Sequence, residues 1–182
     1  LIIEQVLKIY SNQSQMQVLD IGTGSGCILL SIIKERPNFY GTGIDISKKS
    51  INVSKINTKQ LNLMNRVKFF HSSVDNFNIG KYDLIVSNPP YIKLLDLKYL
   101  EKDVVNFEPK LALNGGLDGF SKIRKVINKA STLIKKKGKF ILEIGFNQKN
   151  KVKEILKKEG FYINKAIKDY GNNDRCIIST KI

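Results

Sequence analysis

Short apolar runs alternate with stretches of helical spacing along the 182 residues of the chain. Short runs of mainly apolar residues between polar or glycine-rich stretches are typical of buried strands. We predict strands at residues 17–21, 40–45, 67–71, 82–87, 140–144, 161–166 and 176–180. Apolar residues at helical spacing predict helices at 1–10, 27–33, 47–63 and 120–134, and around Val152, Ile155 and Leu156.

This alternation of strands and helices predicts an α/β fold. Because crossover connections are right-handed, we expect a Rossmann-like, mostly parallel sheet of seven strands with helices on both faces. Only a Gly171-Asn172-Asn173 turn separates the last two strands, which predicts that they pair antiparallel. The length is typical of one core, so residues 1–182 are interpreted as one domain.

Two local signals concern helix ends. Ser47 stands directly before the polar third helix, where serine is a preferred N-cap. Lys135, Lys136 and Lys137 follow the amphipathic helix at 120–134, where cations complement the helix dipole, and Gly138 is predicted to form the left-handed cap. The lysine triplet therefore has a structural interpretation that is at least as good as a ligand-binding one.

The formal net charge of +15 suggests a nucleic-acid partner. However, only four of the 31 basic residues are arginines, the type whose planar side chain binds phosphates and bases bidentately. We therefore favour a solvated lysine surface and keep nucleic acid as the alternative. Two cysteines and one histidine argue against a disulfide framework and a metal site, and no apolar run is long enough to cross a membrane. These features predict a cytoplasmic protein.

A glycine-rich turn follows the first predicted strand and opens a helix, with the sequence Asp20-Ile21-Gly22-Thr23-Gly24-Ser25-Gly26. Glycines let the backbone approach a ligand, and a helix N-terminus offers free N–H groups. Cys27 stands where a dinucleotide-binding turn has its third glycine, which disfavours that ligand. The turn resembles the first motif of S-adenosylmethionine-dependent methyltransferases, and Asp45, at the end of the second strand, matches their ribose-binding acid. A purely structural tight turn is the alternative.

The segment Asn88-Pro89-Pro90-Tyr91 directly follows the fourth predicted strand. Open α/β sheets bind ligands beyond the carboxyl ends of their strands, so Asn88 is expected to face the same crevice as the glycine turn. The Asn88 side-chain oxygen and the Pro89 carbonyl can accept both hydrogens of one planar NH2 group, while Tyr91 packs on that group. The segment therefore predicts a substrate NH2 group, with a simple strand-ending turn as the alternative.

The chain resembles the HemK-type peptide chain release factor glutamine N5-methyltransferases. Four blocks carry the resemblance, namely 88–92 (Asn-Pro-Pro-Tyr-Ile), 107–113 (Phe-Glu-Pro-Lys-Leu-Ala-Leu), 115–119 (Gly-Gly-Leu-Asp-Gly) and 142–145 (Leu-Glu-Ile-Gly). The resemblance implies a class I methyltransferase fold, S-adenosylmethionine as cofactor and a glutamine side chain of a release factor as methyl acceptor. It also implies that Asn88 and Pro89 are catalytic, that Pro90 and Tyr91 help to bind the substrate, and that Asn88 borders the cofactor.

Two departures from the family pattern affect this interpretation. The family's helical amino-terminal domain, which helps to dock the release factor, is expected to be absent, because the helical pattern of the methyltransferase domain begins at Leu1. After the third strand, Ser73 and Val74 replace the acidic-aromatic pair that lies beside the adenine in the family. We assign Ser73 and Val74 to the adenine side, with Asp75 as the alternative acid.

Two other functions fit parts of the pattern. An adenine-N6 or guanine-N2 methyltransferase acting on DNA or RNA would share the Asn88 segment and suit the positive charge, but no separate target-recognition segment is evident. A non-catalytic scaffold that binds the cofactor would fit the altered turn at Ser73 but not the intact Asn88 segment. The resemblance favours the glutamine methyltransferase, acting as a monomer on a release factor.

Overall fold

One seven-stranded sheet forms the centre of the computed structural model, which describes residues 1–11, 15–92, 116 and 118–182. The strands are β1 Met16–Ile21, β2 Phe39–Asp45, β3 Val67–His71, β4 Tyr82–Ser87, β5 Ile134–Glu143, β6 Phe161–Lys168 and β7 Asp174–Lys181. Their order across the sheet is β3-β2-β1-β4-β5-β7-β6. The predicted bounds of β3 and β4 are confirmed to the residue.

Helices cover both faces of the sheet. Those of the described residues are α1 Ile2–Ile9, α2 Cys27–Glu35, α3 Lys48–Gln60, α4 Ser121–Leu133 and α5 Lys149–Lys158. On one face, α4 and α5 bury Ile127 and Leu156 in a cluster with Ile85 of β4. On the other face, α2 buries Leu29 in a cluster with Leu84 of the same strand. Neighbouring residues of β4 thus point into two different cores, which explains why three consecutive residues at its centre, 84–86, are apolar.

The strand directions confirm the predicted mixed sheet. The pairs β1–β2, β1–β4, β2–β3 and β4–β5 are parallel. β7 lies between β5 and β6 and is antiparallel to both. A parallel core whose last strand runs antiparallel is the arrangement that the short turn before β7 predicted.

The junction between α4 and β5 differs from the prediction. α4 ends at Leu133, and Ile134 already pairs with Tyr82 of β4. The lysine triplet therefore belongs to β5 and not to a helix end. Lys135 also pairs with Asp83 of β4, at 2.8 Å between Nζ and Oδ1. β5 therefore begins directly after the helix, which the amphipathic pattern alone did not indicate.

The predicted left-handed cap at Gly138 is wrong. The residue with a positive φ, 63°, is Lys137, and Gly138 is not among the positive-φ residues. Glycine is needed at 138 for space, because a Cβ would lie 2.8 Å from the carbonyl oxygen of Lys135 and 3.0 Å from that of Asp83. The irregular pairing of β4 with β5 around this point brings these carbonyl groups close to the Gly138 backbone.

Two neighbouring substitutions are expected to have opposite effects here. Lys137→Gly should stabilise the protein by about 1 kcal/mol, because glycine adopts a positive φ without the clash of a Cβ. Gly138→Ala should destabilise it by about 1–3 kcal/mol, because the new methyl group is overpacked against backbone carbonyls. Chemical denaturation of both variants measures the two changes. The same sign for both substitutions would contradict this description of the junction.

Candidate active site

The carboxyl ends of three neighbouring parallel strands lie side by side. In the strand registers, Ile21 of β1 lies beside Ile44 of β2 and beside Ser87 of β4. The residues that directly follow this row are Gly22, Asp45 and Asn88. The structure therefore brings together the glycine turn, the strand-end acid and the Asn88 segment, as the sequence predicted.

The glycine turn adopts a conformation that requires glycine. Gly22, Gly24 and Gly26 have φ values of 76°, 56° and 83°. α2 begins directly after Gly26, and its first turn has no side-chain cap. The backbone N–H groups at this helix start therefore lack the side-chain acceptor that many helices provide. Such a turn suits a ligand group that can accept hydrogen bonds.

Asp45 ties the turn to the end of β2. Its Oδ2 accepts a hydrogen bond from the Gly24 N–H at 2.9 Å, and its Oδ1 accepts one from the Ser47 N–H at 2.8 Å. A carboxylate has about four acceptor positions, so the half-buried group retains capacity for a ligand hydroxyl. Ser47 in turn caps α3 by accepting from the Ser50 N–H at 3.2 Å, which confirms the predicted N-cap.

Asp20 is a buried acid beneath the turn. Its Oδ2 accepts a hydrogen bond from the Thr23 hydroxyl at 2.8 Å, whereas its Oδ1 is buried without a hydrogen-bond partner among the described residues. Burial raises the pKa of Asp20 to about 7, and the charge of Asp45 adds to this rise, whereas the hydrogen bond from the Thr23 hydroxyl acts in the opposite direction. An acid with one unused oxygen here suits a ligand that brings a positive charge or an N–H donor.

The structure gives Thr23 and Ser25 different roles within the turn. Thr23 is buried and uses its backbone N–H on the carbonyl of Ile44 at 2.9 Å, in addition to its hydroxyl bond to Asp20. Ser25 is exposed, and its carbonyl accepts a hydrogen bond from the Asn57 side chain at 2.9 Å. Thr23 thus stabilises the turn through buried hydrogen bonds, while Ser25 lies on its solvent-exposed side.

The Asn88 segment leaves β4 beside β1. Ser87 is fully buried and donates its hydroxyl hydrogen to the Ile21 carbonyl at 2.7 Å, which fixes the last residue of the strand. Asn88 is exposed, Pro89 is buried and Pro90 is half-buried. Among the residues that the structure describes, none hydrogen-bonds to the Asn88 carboxamide, so this group is available to a ligand.

Tyr91 is held from two sides. Its carbonyl accepts a hydrogen bond from Gln148 Nε2 at 3.1 Å. Its hydroxyl oxygen accepts one from Arg175 Nη1 at 3.4 Å, and the Arg175 guanidinium lies 5.9 Å from the ring centroid. Burial, and secondarily the charge of Glu143, raises the pKa of the Tyr91 hydroxyl. Sequence reasoning did not find these partners, because neither belongs to a motif that we singled out.

The turn after β3 packs beside the end of β2. The Ser72 N–H donates to the Asp45 carbonyl at 3.0 Å, and the Ser73 hydroxyl oxygen accepts from the Asn76 N–H at 3.3 Å. Val74 packs against the core that α4 covers. Asp75 forms an ion pair with Lys125 of α4, so its carboxylate is directed to that helix. This pairing argues against Asp75 as a replacement for the family's acid.

Other predicted features lie partly outside the described residues. These are the blocks at 107–113 and 115–119, of which the structure describes only Gly116, Asp118 and Gly119. Asp118 accepts hydrogen bonds from the Phe120 N–H at 2.9 Å and from Arg124 Nη1 at 2.6 Å, which orders the start of α4.

The two cysteines lie in different environments, and the buried one does not suit nucleophilic chemistry. Cys176 is buried in the sheet, and burial raises the pKa of its thiol to about 12, while Cys27 is exposed at the start of α2. Within the described ranges, no group of three His, Cys, Asp or Glu residues could hold a metal ion. In those same ranges, every helix is too short or too polar to cross a bilayer.

Comparison with known proteins agrees with the sequence resemblance. A family model described as a methyltransferase domain matches residues 12–178. The release factor glutamine methyltransferase of Caulobacter vibrioides is 35% identical over 99% of this chain and 63% of that protein. The protein of the same name from Buchnera aphidicola subsp. Schizaphis graminum is 38% identical over 100% of this chain and 65% of that protein. The chain thus spans a little under two thirds of the length of these relatives, whose names confirm the predicted resemblance.

The fold has counterparts among solved structures. The ribosomal protein L11 methylase from Lactobacillus delbrueckii subsp. bulgaricus superposes with a TM-score of 0.72 at 18% identity, covering 100% of this chain and 77% of that chain. This likeness confirms the predicted class I methyltransferase fold. The range matched by the family model, residues 12–178, covers more than half of the chain. This chain therefore belongs to the methyltransferase-domain family.

Proposed function

We propose that the chain transfers a methyl group from S-adenosylmethionine to the side-chain amide nitrogen of a glutamine in a peptide chain release factor. The observation that carries this proposal is the exposed carboxamide of Asn88, followed by two prolines, directly beside the glycine turn. The names of the curated relatives support the choice of substrate. We further propose that the chain works as a monomer in the cytoplasm, where release factors act.

The residues around the turn fit the proposed cofactor. The uncapped N–H groups at the start of α2 suit the carboxylate of the methionine part, and the unused oxygen of Asp20 suits its ammonium group. Asp45 is assigned to the ribose hydroxyls, and Ser73 and Val74 to the adenine side. When bound, S-adenosylmethionine supplies a methyl group that its sulfonium has already activated.

The task left to the protein is mainly positioning. A carboxamide nitrogen is a weak nucleophile, because its lone pair is delocalised into the carbonyl group. Asn88 Oδ1 and the Pro89 carbonyl would accept the two hydrogens of the substrate NH2, which directs the nitrogen toward the cofactor methyl group. These acceptors bind more strongly as the hydrogens become more acidic in the transition state. Holding the reactants in line can supply about 7–11 kcal/mol of the barrier.

This mechanism does not require a histidine base. The single histidine, His71, lies exposed at the end of β3, with Nε2 2.9 Å from the carbonyl oxygen of Ile46. β3 is separated from β4 by β2 and β1, so His71 and Asn88 follow strands that are not neighbours. We assign substrate contacts to Pro90 and to the part of the Tyr91 ring that Arg175 leaves free.

The structure does not favour nucleic acid as the substrate. All four arginines are engaged within the chain. Arg36 and Arg66 donate to backbone carbonyls, Arg124 pairs with Asp118, and Arg175 pairs with Asp169. The positive charge that remains free for a partner is therefore mainly lysine, which lacks the bidentate geometry typical of base and phosphate recognition.

A comparison of acceptors tests the proposed function. We would incubate the full chain with S-adenosylmethionine carrying a labelled methyl group and with a release factor, its variant with asparagine in place of the acceptor glutamine, or adenine-containing DNA. Label in the unaltered release factor alone is the expected result. Label in DNA alone would support the nucleic-acid alternative, and cofactor binding without transfer to any acceptor would support the scaffold alternative.

Asp45→Ala is expected to weaken cofactor binding by about 1–3 kcal/mol, because the ribose loses its acceptors and the turn loses the bond from Asp45 to the Gly24 N–H. Isothermal titration calorimetry with S-adenosylmethionine measures the change. Asp75→Ala is the matched control, since its ion pair with Lys125 belongs to the α4 side of the molecule. Unchanged affinity in the Asp45 variant would remove this residue from the cofactor site.

A further inference from the structure

Gln148 is a buried polar side chain at the start of α5, only 4% exposed. Its Nε2 donates to the Tyr91 carbonyl and to the Gly119 carbonyl, each at 3.1 Å. Its Oε1 accepts a hydrogen bond from the Gly145 N–H at 2.9 Å. The Nε2 and Oε1 atoms of the Gln148 side chain thus both hydrogen-bond to backbone groups, which belong to three different segments.

One of these three segments carries the proposed acceptor site, and the other two belong to neighbouring parts of the fold. Tyr91 ends the Asn88 segment, Gly145 follows β5, and Gly119 directly precedes the residues that start α4. Because β5 is the parallel neighbour of β4, Gly145 and the Asn88 segment both follow the carboxyl ends of neighbouring strands. Gln148 therefore joins the segment that carries Asn88 to two parts of the rigid framework.

Only a carboxamide of this length satisfies all three partners. A Cβ at position 145 would lie 3.1 Å from Gln148 Oε1, so glycine at that position permits the close approach. Glutamate would retain an acceptor for the Gly145 N–H but, when ionised, would have no hydrogen for the carbonyl groups of Tyr91 and Gly119. Methionine has a similar length and no hydrogen-bond donor, so Gln148→Met removes the bonds to the two carbonyl groups while the side chain keeps its length.

We propose that Gln148 is a positioning residue for methyl transfer, because it fixes the backbone of the Asn88 segment through the Tyr91 carbonyl. The inference rests on the proposed function and deepens it. Gln148 touches no reacting group, so its substitution should change the orientation of the substrate NH2 and leave the cofactor contacts intact. The expected signature is a loss in kcat with little change in cofactor affinity.

The test compares Gln148→Met with Ser179→Ala, which removes another buried hydrogen bond, the one that Ser179 Oγ donates to the Phe140 carbonyl at 3.2 Å. We expect both variants to lose thermal stability, whereas only the Met variant loses about 10- to 100-fold in kcat. Equal kcat losses in the two variants, or a normal kcat in the Met variant, would overturn the positioning role.

A second variant, Gln148→Glu, adds a pH readout. A protonated glutamic acid can still donate one hydrogen bond, but its ionised form opposes the two carbonyl groups. Its kcat relative to that of wild type should therefore fall as the pH rises, at temperatures where both proteins are fully folded. A ratio that does not depend on pH would contradict the role of the Nε2 donors.

Hydrogen exchange separates this proposal from the proposed function. In the Met variant, exchange of the Gly145 amide, whose hydrogen Gln148 Oε1 accepts in the wild type, should accelerate about tenfold or more, with no such change in the Ser179 variant. If the wild-type chain methylates no release factor, the proposed function fails, yet this exchange rate still decides whether the Gln148 carboxamide makes its backbone hydrogen bonds. Unchanged exchange would refute those bonds whatever the substrate is.

Discussion

Replacing Asn88 with alanine is expected to lower kcat for release-factor methylation by about 10²- to 10³-fold, while the affinity for S-adenosylmethionine stays nearly constant. The asymmetry follows from the position of the residue. Its carboxamide is exposed and unbonded to the other described residues, so its main partner would be the substrate NH2 group. Single-turnover kinetics, together with calorimetry on the cofactor, measure the two quantities separately.

Two further variants sharpen this test. Asn88→Asp retains side-chain oxygens as acceptors and loses the NH2 donor, so it should recover part of the activity that the alanine variant loses if acceptance is the essential role. Asn164→Ala is the matched control, because Asn164 is also exposed but lies on β6 at the far edge of the sheet. Near-normal turnover in Asn88→Ala would refute the positioning mechanism.

Local signals explain why much of the fold could be predicted from the sequence. β4 has an apolar centre at residues 84–86, and a proline pair follows one residue after its end; its predicted bounds match the structure. The Ser47 cap depends only on residues within one helical turn, so its sequence context was sufficient. The three positive-φ glycines of the turn follow the same logic, since their spacing reflects a local backbone requirement.

Contacts between distant segments explain what could not be predicted. Gln148 and Tyr91 are 57 residues apart, and Arg175 and Tyr91 are 84 residues apart, so no sequence pattern links them. The same limit applies at the α4–β5 junction, where pairing with β4 determines that Lys137, and not Gly138, has the positive φ. Sequence patterns located the strand ends that form the site, whereas the side chains that hold them in place required the three-dimensional structure.

Asp20 is expected to make the stability of the ligand-free protein depend on pH. Its pKa rises from 3.8 to about 7 in the folded state because it is buried, and secondarily because Asp45 is nearby. Between these two pH values the folded state therefore holds a proton that the unfolded state has released. The free energy of unfolding should fall as the pH rises through this window, by a total of about 4 kcal/mol, and then level off.

Asp20→Asn should remove this slope, because asparagine does not titrate. Urea denaturation of both proteins from pH 4 to pH 8 measures the difference, and parallel pH profiles would contradict the assignment to Asp20. The cofactor should act in the opposite direction. If the unused Asp20 oxygen binds the ammonium group of S-adenosylmethionine, ionisation of Asp20 favours binding, so wild-type affinity should increase as the pH approaches and passes about 7. The Asn variant should bind more weakly and lack this increase, and an equal increase in both proteins would place the ammonium group elsewhere.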